Sequence, residues 1–203
     1  MSGLLNFSSN MFVVAFFLYC AAFILFAVAI MGRRWSNRDP ESHRRKWGNI
    51  AFGVSSLGLV LELTYFFTRW AGGGHIPVSN MYEFMSFLSM MVMVAFTVVY
   101  LIYRKTILGL FAVPITIIIM AYAAVFPQEV QPLIPSLQSY WLKIHVTMAA
   151  AGESFFAIAF AAGFMYLLRT VNFSSTDKKD RRQQRWVEIV FFSIILVISF
   201  IIT

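Results

Sequence analysis

A histidine with an aromatic neighbour stands out among the residues that could bind a metal or a metal-bearing ligand. Trp141, His145 and Gly152 recur at spacings of four and seven residues, with Met148 and Ala149 between them. On a helix these positions share one face, so the imidazole would lie beside a tryptophan and above small residues. A flat macrocycle could approach such a face closely. The alternative is that the small residues only allow helices to pack and that His145 binds nothing.

The segment Arg69–Glu83 carries a second histidine in front of a helix-start signal. Its sequence is RWAGGGHIPVSNMYE, in which three glycines precede His75. Asn80 is a suitable N-cap, and Glu83 stands three residues later, as in a capping box. The backbone N–H groups at a helix start can also hold an anion. The segment therefore fits either plain helix initiation or a ligand-binding loop.

Two carboxyl groups fall inside long apolar stretches, where an ionisable group is costly and is a functional candidate. Glu62 precedes Trp70 by eight residues and Glu153 follows Tyr140 by thirteen, which places them about 12 Å and about 20 Å inside at 1.5 Å per residue. Each could be protonated and hydrogen-bonded to another helix, or could belong to a proton relay. Cys20 is the only cysteine of the sequence, so we expect a small buried apolar residue there.

The composition decides which class of protein must position these groups. Residues of the set AVILMFWYC make up 60% of the 203 residues, and charged residues make up only 12%. Soluble domains have about 45–50% apolar residues, glycine included, and about 25% charged residues. Such a chain has too little polar surface to cover a water-soluble globule. A soluble enzyme, a disordered tail and a disulfide scaffold are excluded, and an integral membrane protein is predicted.

Six stretches are long and apolar enough, or nearly so, to cross a hydrocarbon core of about 30 Å as helices. They are Met11–Met31, Trp47–Trp70, Met81–Tyr103, Ile107–Phe126, Tyr140–Leu168 and Val187–Thr203. Each run is continuously apolar, whereas the strands of membrane barrels alternate over about 10 residues. The sequence therefore predicts an all-α, polytopic membrane bundle with six spans.

The distribution of basic residues predicts how the bundle is oriented. Fourteen of the 16 Lys and Arg residues fall in the connections after the first, third and fifth spans. By the positive-inside rule these connections are cytoplasmic and the N-terminus is outside, so the net charge of +7 reports topology, not nucleic-acid binding. His75 and His145 are then on the outer side with Arg69 and Lys143, the two remaining basic residues. These two cations could bind an anionic ligand or could snorkel to the headgroups.

The histidines lie near the ends of the predicted spans, and none is at mid-membrane depth. His43 is in the first cytoplasmic connection, whereas His75 and His145 are on the predicted outer side. A b-type cytochrome needs opposed histidines from two helices within the bilayer, so this class is disfavoured. A closed zinc site, which needs about four ligands, is disfavoured as well.

Two segments of the sequence resemble a known family. Residues 74–84, GHIPVSNMYEF, and residues 138–146, QSYWLKIHV, are similar to motifs of the ResC/CcsA family of cytochrome c biogenesis proteins. The resemblance extends from about residue 69 to about residue 168. It implies a polytopic membrane protein that carries haem b as a transient cargo to the extracytoplasmic face. There it works with a ResB-type partner to attach haem to the CxxCH cysteines of apocytochrome c.

The resemblance also implies roles for individual residues. His145 corresponds to one of two outer-face axial ligands of the haem iron, and Trp141 would supply an apolar wall beside it. His75, Arg69 and Lys143 are further candidates for contact with haem, whose propionates need cationic or N–H partners. The family's tryptophan-rich loop, second outer ligand and later membrane histidine lie further toward the C-terminus. We therefore expect this chain to be the N-terminal part of a longer protein.

On this basis we expect a single membrane domain over residues 1–203, in the bacterial cytoplasmic membrane. The motifs fall within residues 69–168, and membrane lipid, not nucleic acid, surrounds the protein. The chain would belong to a cytochrome c synthase-type complex without itself holding a complete catalytic site. Two alternatives come from other classes: a small membrane scaffold subunit without haem, and a small permease.

Overall fold

The computed structural model describes residues 2–31, 40–130 and 139–170, together with 182, 184–190, 192 and 193. Five helices are defined there, namely α1 (Ser2–Met31), α2 (Pro40–Gly73), α3 (Met81–Tyr103), α4 (Thr106–Ala123) and α5 (Tyr140–Thr170). All five are long and apolar enough to cross a membrane. The described ranges contain no strand, and the prediction of an all-α polytopic membrane protein is confirmed.

The helix bounds match the predicted spans wherever a helix ends at the same residue as its apolar run. α3 has the predicted bounds, and α5 continues two residues further than predicted. α1 and α2 begin earlier than predicted, because polar residues continue each helix beyond its membrane-crossing part. α4 ends at Ala123, ahead of Pro127, since the residue before a proline disfavours helical geometry. The predicted sixth span lies mostly outside the described residues, of which 187–190, 192 and 193 are helical.

α1 and α2 pack along each other through buried residues that recur every three or four positions. On α1, aromatic side chains alternate with alanines, and none is more than 4% exposed: Phe12, Ala15, Tyr19, Ala22, Phe26 and Ala29. On α2 the buried series is Gly48, Ala51, Ser55, Gly58, Glu62, Tyr65, Arg69 and Gly72. This spacing is typical of helices that cross at a small angle, with small residues opposite large ones. With this packing, the ring of Tyr19 lies against Gly58, one turn before Glu62.

An aromatic cluster closes the core at the predicted cytoplasmic end. It consists of Phe26, Phe52, Phe96 and Tyr100, one ring from α1, one from α2 and two from α3. The rings of Phe52 and Tyr100 are stacked with centroids 4.2 Å apart. α4 packs against this end through Gly109, which lies directly under the ring of Phe26. The core here is therefore tightly filled by aromatic rings.

Gly109→Ala should destabilise the bundle. A Cβ at this position would lie 2.5–2.7 Å from three ring atoms of Phe26, and neighbouring rings prevent that ring from moving away. Overpacking of this kind costs about 1–3 kcal/mol, so the thermal midpoint in detergent should fall by several degrees. Gly53→Ala is the matched control, because nothing lies within 4 Å of its added Cβ. Equal midpoints for the two variants would show that Phe26 can give way.

The chain divides into two compact units, Met1–Ala159 and Phe160–Thr203. α1 to α4 and the first part of α5 belong to the first unit. All the candidate site residues named above also belong to it. The expectation of a single domain over residues 1–203 stays a prediction.

Candidate functional site

A buried ion pair joins three segments at the predicted outer end of the first unit. Arg69, one turn before the end of α2, donates from Nε to Oε1 of Glu83 over 2.8 Å. Its Nη2 donates to the carbonyl oxygen of Gln128, beyond α4, over 2.7 Å. The two charged side chains are only 2% and 1% exposed. The guanidinium also lies 5.0 Å from the ring centroid of Tyr82, so its charge faces an aromatic surface as well.

Asn80 is the N-cap of α3, and it extends this network. Its Oδ1 accepts from the backbone N–H of Glu83 over 2.8 Å, and its Nδ2 donates to the carbonyl of Glu129 over 2.9 Å. In a capping box the glutamate would return a bond to the N–H of the cap residue. Here Oε2 of Glu83 accepts from Ser79 instead, from N over 2.9 Å and from Oγ over 2.6 Å. The predicted box is thus displaced by one residue, while the other carboxylate oxygen faces Arg69.

These hydrogen bonds define what we call the Arg69 cluster. Its members are Arg69, Ser79, Asn80, Glu83, Gln128 and Glu129. The sequence singled out Arg69, Asn80 and Glu83 separately, and the structure brings them together. Ser79 and the carbonyls of the segment after α4 were not predicted as partners. The sequence indicates only that these groups lie at the same predicted end of the bundle as Arg69.

The segment that carries His75 follows α2 at Gly74, whose backbone conformation favours glycine. Gly74 has φ +73°, and its N–H donates to the carbonyl of Trp70 over 2.9 Å, which closes the C-terminus of α2. His75 is half-buried, with Nδ1 3.0 Å from the carbonyl of Ile76. In a neutral imidazole this contact places the proton on Nδ1 and the lone pair on Nε2. His75 is therefore held in one tautomer by its own segment.

α5 presents Trp141 and His145 on an exposed face. Trp141 is 78% exposed, Met148 is 69% exposed, and His145 is exposed between them. Gly152 lies on the same face, where an added Cβ would meet nothing within 4 Å. The opposite face is buried at Ala150, Ser154 and Ile158. The face predicted from the spacing exists and is open within the described residues.

Lys143 does not share that face. At about 100° per residue it lies roughly 200° around α5 from both Trp141 and His145. Its backbone N–H donates to the carbonyl of Ser139 over 3.4 Å, and its carbonyl accepts from Thr147 Oγ1 over 2.8 Å. Among the residues that the structure describes, its ammonium group forms no ion pair.

The two membrane carboxyl groups differ completely in environment. Glu62 is fully buried, and its carboxyl oxygens form hydrogen bonds with Tyr19 Oη over 2.7 Å and with Ser89 Oγ over 2.5 Å. Of the two expectations for it, a hydrogen bond to another helix is therefore present, with α1 and α3 both contributing. Glu153 is exposed on α5. The hydroxyl partners of Glu62 were not predicted, since each lies far from it in the sequence.

Comparison with known proteins supports the resemblance seen in the motifs. The family model described as cytochrome C assembly protein matches residues 78–203. The cytochrome c biogenesis protein CcsA of Chlamydomonas reinhardtii is 34% identical over 141 residues, which cover 64% of this chain and 38% of that protein. The protein of the same name from Chlorella vulgaris is 29% identical over 154 residues, covering 70% and 48%. That from Mesostigma viride is 35% identical over 131 residues, covering 61% and 40%.

The matched stretch includes most of the candidate site. Asn80, Glu83, Trp141 and His145 all fall within residues 78–203. The chain spans less than half the length of the three curated relatives named above. No solved structure matches it. On the extent of the family match, this chain belongs to the cytochrome c assembly protein family.

Proposed function

We propose that the chain acts in cytochrome c assembly by presenting haem b at the extracytoplasmic face of the bacterial cytoplasmic membrane. A ResB-type partner would work with it to join haem to apocytochrome c. The names of the relatives support the assembly role, because each is called a cytochrome c biogenesis protein. The five apolar helices support the membrane location.

The observation that carries the proposal is the exposed face of α5. A neutral imidazole at His145 offers a nitrogen lone pair to iron. The indole of Trp141, one turn earlier, offers an apolar wall on the same face. Gly152, two turns after His145, has no side chain, and nothing lies within 4 Å of the position that its Cβ would take, so a flat ring system can approach the backbone there. Haem itself supplies the carbons that form the thioether bonds with the cysteine sulfurs.

The described residues fit one axial position of a haem. Within them, no three side chains of His, Cys, Asp or Glu come together as metal ligands. The resemblance implies that the second axial ligand lies further toward the C-terminus than the two motifs of residues 74–84 and 138–146.

The basic residues at the predicted outer end suggest how the protein would bind the propionates of haem. The charge of Arg69 is balanced by Glu83, and two of its nitrogens already donate hydrogen bonds. We infer that Arg69 acts by holding the segment 74–80 in place. Lys143 has no ion pair among the described residues, so its charge is available to a propionate that lies on its own side of α5.

The proposal requires the predicted orientation, which impermeant thiol reagents can test in intact cells. With Cys20 replaced by alanine, Glu129→Cys should be labelled from outside and Lys105→Cys should not. Both positions are exposed, so accessibility does not separate them within the molecule. Disruption of the cells should make Lys105→Cys reactive. Labelling of position 105 but not 129 in intact cells would reverse the orientation and remove the outer-face haem site.

Haem content tests the function itself. The protein, expressed at the length its gene encodes, should purify with haem, and the His145→Ala variant should not. A protein that lacks haem but co-purifies with a large extracytoplasmic partner would support the scaffold alternative. Haem retained equally by both forms would show that α5 does not carry the ligand.

A further inference from the structure

We propose that Glu62 holds a proton that exchanges with the predicted outer side through a buried polar track between α1, α2 and α3. From the membrane interior outward, the track consists of Glu62, Ser89, Ser86, Tyr65, Tyr82, Arg69 and Glu83. Six of these residues are at most 1% exposed and Arg69 is 2% exposed. This role is independent of haem, and its test needs none.

The hydrogen-bond distances around Glu62 fit a protonated carboxyl group. Ser89 Oγ lies 2.5 Å from Glu62 Oε1 and 2.8 Å from the carbonyl oxygen of Ser86. A hydroxyl has one proton, so it can donate to only one of these two acceptors. If Glu62 is protonated, it donates to Ser89 Oγ, and Ser89 donates to the Ser86 carbonyl. Every contact then has a donor, including the bond from Tyr19 Oη to Oε2.

The surroundings of Glu62 also favour the neutral acid. Burying an ionised carboxylate without a cation costs far more than burying the protonated form. In the part of the chain that the structure describes, the one ion pair is that between Arg69 and Glu83, and no cation contacts Glu62. The groups that face it are the hydroxyls of Tyr19 and Ser89.

Two tyrosine hydroxyls continue the track outward. The Oη atoms of Tyr65 and Tyr82 are buried and meet no hydrogen-bond partner among the described residues. Their rings pack edge to face, with centroids 6.3 Å apart, and Ser86, one turn after Tyr82 on α3, donates from Oγ to the Tyr82 carbonyl over 2.7 Å. An unpaired buried hydroxyl costs about 1–3 kcal/mol. A bound water molecule that bridges the three hydroxyls would satisfy them with three hydrogen bonds, as buried waters commonly do.

The helix faces set these groups in register. Glu62, Tyr65 and Arg69 lie three and four residues apart on α2, so they form one stripe that rises about 10 Å. Ser86 and Ser89 follow Tyr82 at matching spacings on α3. The outward end of the stripe is the Arg69 cluster, where Ser79 and Asn80 are only half-buried. The carbonyls of Ser86 and Tyr82 accept the serine hydrogen bonds but have no proton to pass on, so a proton would move between the hydroxyls through bound water. Each hydroxyl then gives up one proton and takes another from its neighbour.

In the opposite direction, the described residues between Glu62 and the aromatic cluster form no hydrogen-bonded continuation of the track. The aromatic cluster of Phe26, Phe52, Phe96 and Tyr100 fills the space between the helices. Ser55 lies between, but its hydroxyl donates to the Phe52 carbonyl of its own helix. Exchange from the predicted cytoplasmic end is blocked, so the track is open toward one side.

Infrared spectroscopy of the purified protein in H₂O and D₂O tests the proposal. The C=O stretch of a protonated carboxylic acid should be present and should disappear in Glu62→Gln. Its shift on transfer to D₂O measures proton exchange. Tyr65→Phe and Tyr82→Phe should slow this exchange at least about tenfold, because each removes one hydrogen-bonded step. Ser86→Ala tests the same step if a tyrosine variant fails to accumulate.

Tyr100→Phe is the matched control, since Tyr100 is a buried tyrosine of α3 within the aromatic cluster. It should leave the exchange rate unchanged. The absence of a band that depends on Glu62 would show that the carboxyl is ionised and would overturn the proposal. Equal exchange rates in the wild type and all three track variants, or slowing by Tyr100→Phe alone, would overturn it too.

Discussion

His145→Ala should lose most of the bound haem while the protein still inserts and accumulates. The imidazole is exposed on α5, so its removal leaves no cavity, and surface changes of this kind alter stability by less than about 0.5 kcal/mol. The iron, in contrast, loses its proposed axial ligand on that face. The measurement is the haem absorbance per mole of protein, in the protein at the length its gene encodes.

External imidazole should partly restore haem to His145→Ala, because it can occupy the vacated ligand position. His75→Ala should cost less haem, since the side chain of His75 already contacts a carbonyl of its own segment. Thr147→Ala is the control on α5, because its hydroxyl is exposed and bonds only to the Lys143 carbonyl of the same helix. If His145→Ala keeps its haem and His75→Ala loses it, the segment 74–80 is the haem site and the ligand assignment is inverted.

Arg69→Ala should be among the most destabilising substitutions in the chain. It would leave the carboxylate of Glu83 buried without its cation, and breaking a buried ion pair from one side costs about 3–5 kcal/mol. It would also release the Gln128 carbonyl, and with it the contact between α2 and the segment after α4. For a chain of this size the thermal midpoint in detergent should fall by about 10 °C.

Two variants distinguish this effect from simple loss of a positive charge. Lys143→Ala removes a cation that has no ion pair among the described residues, and it should change the midpoint little. The double variant Arg69→Ala with Glu83→Ala should be less destabilised than the two single variants added together, since no buried charge is left alone. A midpoint for Arg69→Ala equal to that for Lys143→Ala would contradict the buried ion pair.

The sequence predicts the parts of this structure that depend on local periodicity. The bounds of α3 follow from its apolar run and from the cap at Asn80, and the exposed face of α5 follows from the spacing of Trp141 and His145. Each of these features is determined within a few turns of helix. The same reasoning places Glu62 inside a span, because its distance from Trp70 measures its depth.

Features that depend on how helices are rotated against one another could not be predicted. Arg69 could have paired with Glu83 or Glu129, and only the packing of α2 on α3 selects the first. Tyr19 is 43 residues from Glu62, so their bond requires the α1–α2 seam to be known. Lys143 and His145 lie on one predicted side of the membrane, yet the helix sets them on opposite faces.

The early start of α2 has a consequence for the vertical position of the bundle. The helix begins at Pro40, so Arg44, Arg45 and Lys46 are carried on a rigid element and are exposed on the predicted cytoplasmic side. Anionic lipids give that membrane surface a negative potential, which attracts nearby basic residues by about 1 kcal/mol each. Sliding of α2 along the membrane normal would move all three charges away from the headgroups together, at a cost of about 3 kcal/mol. The surface potential therefore fixes the depth of the carboxyl and the guanidinium that the same helix carries further along.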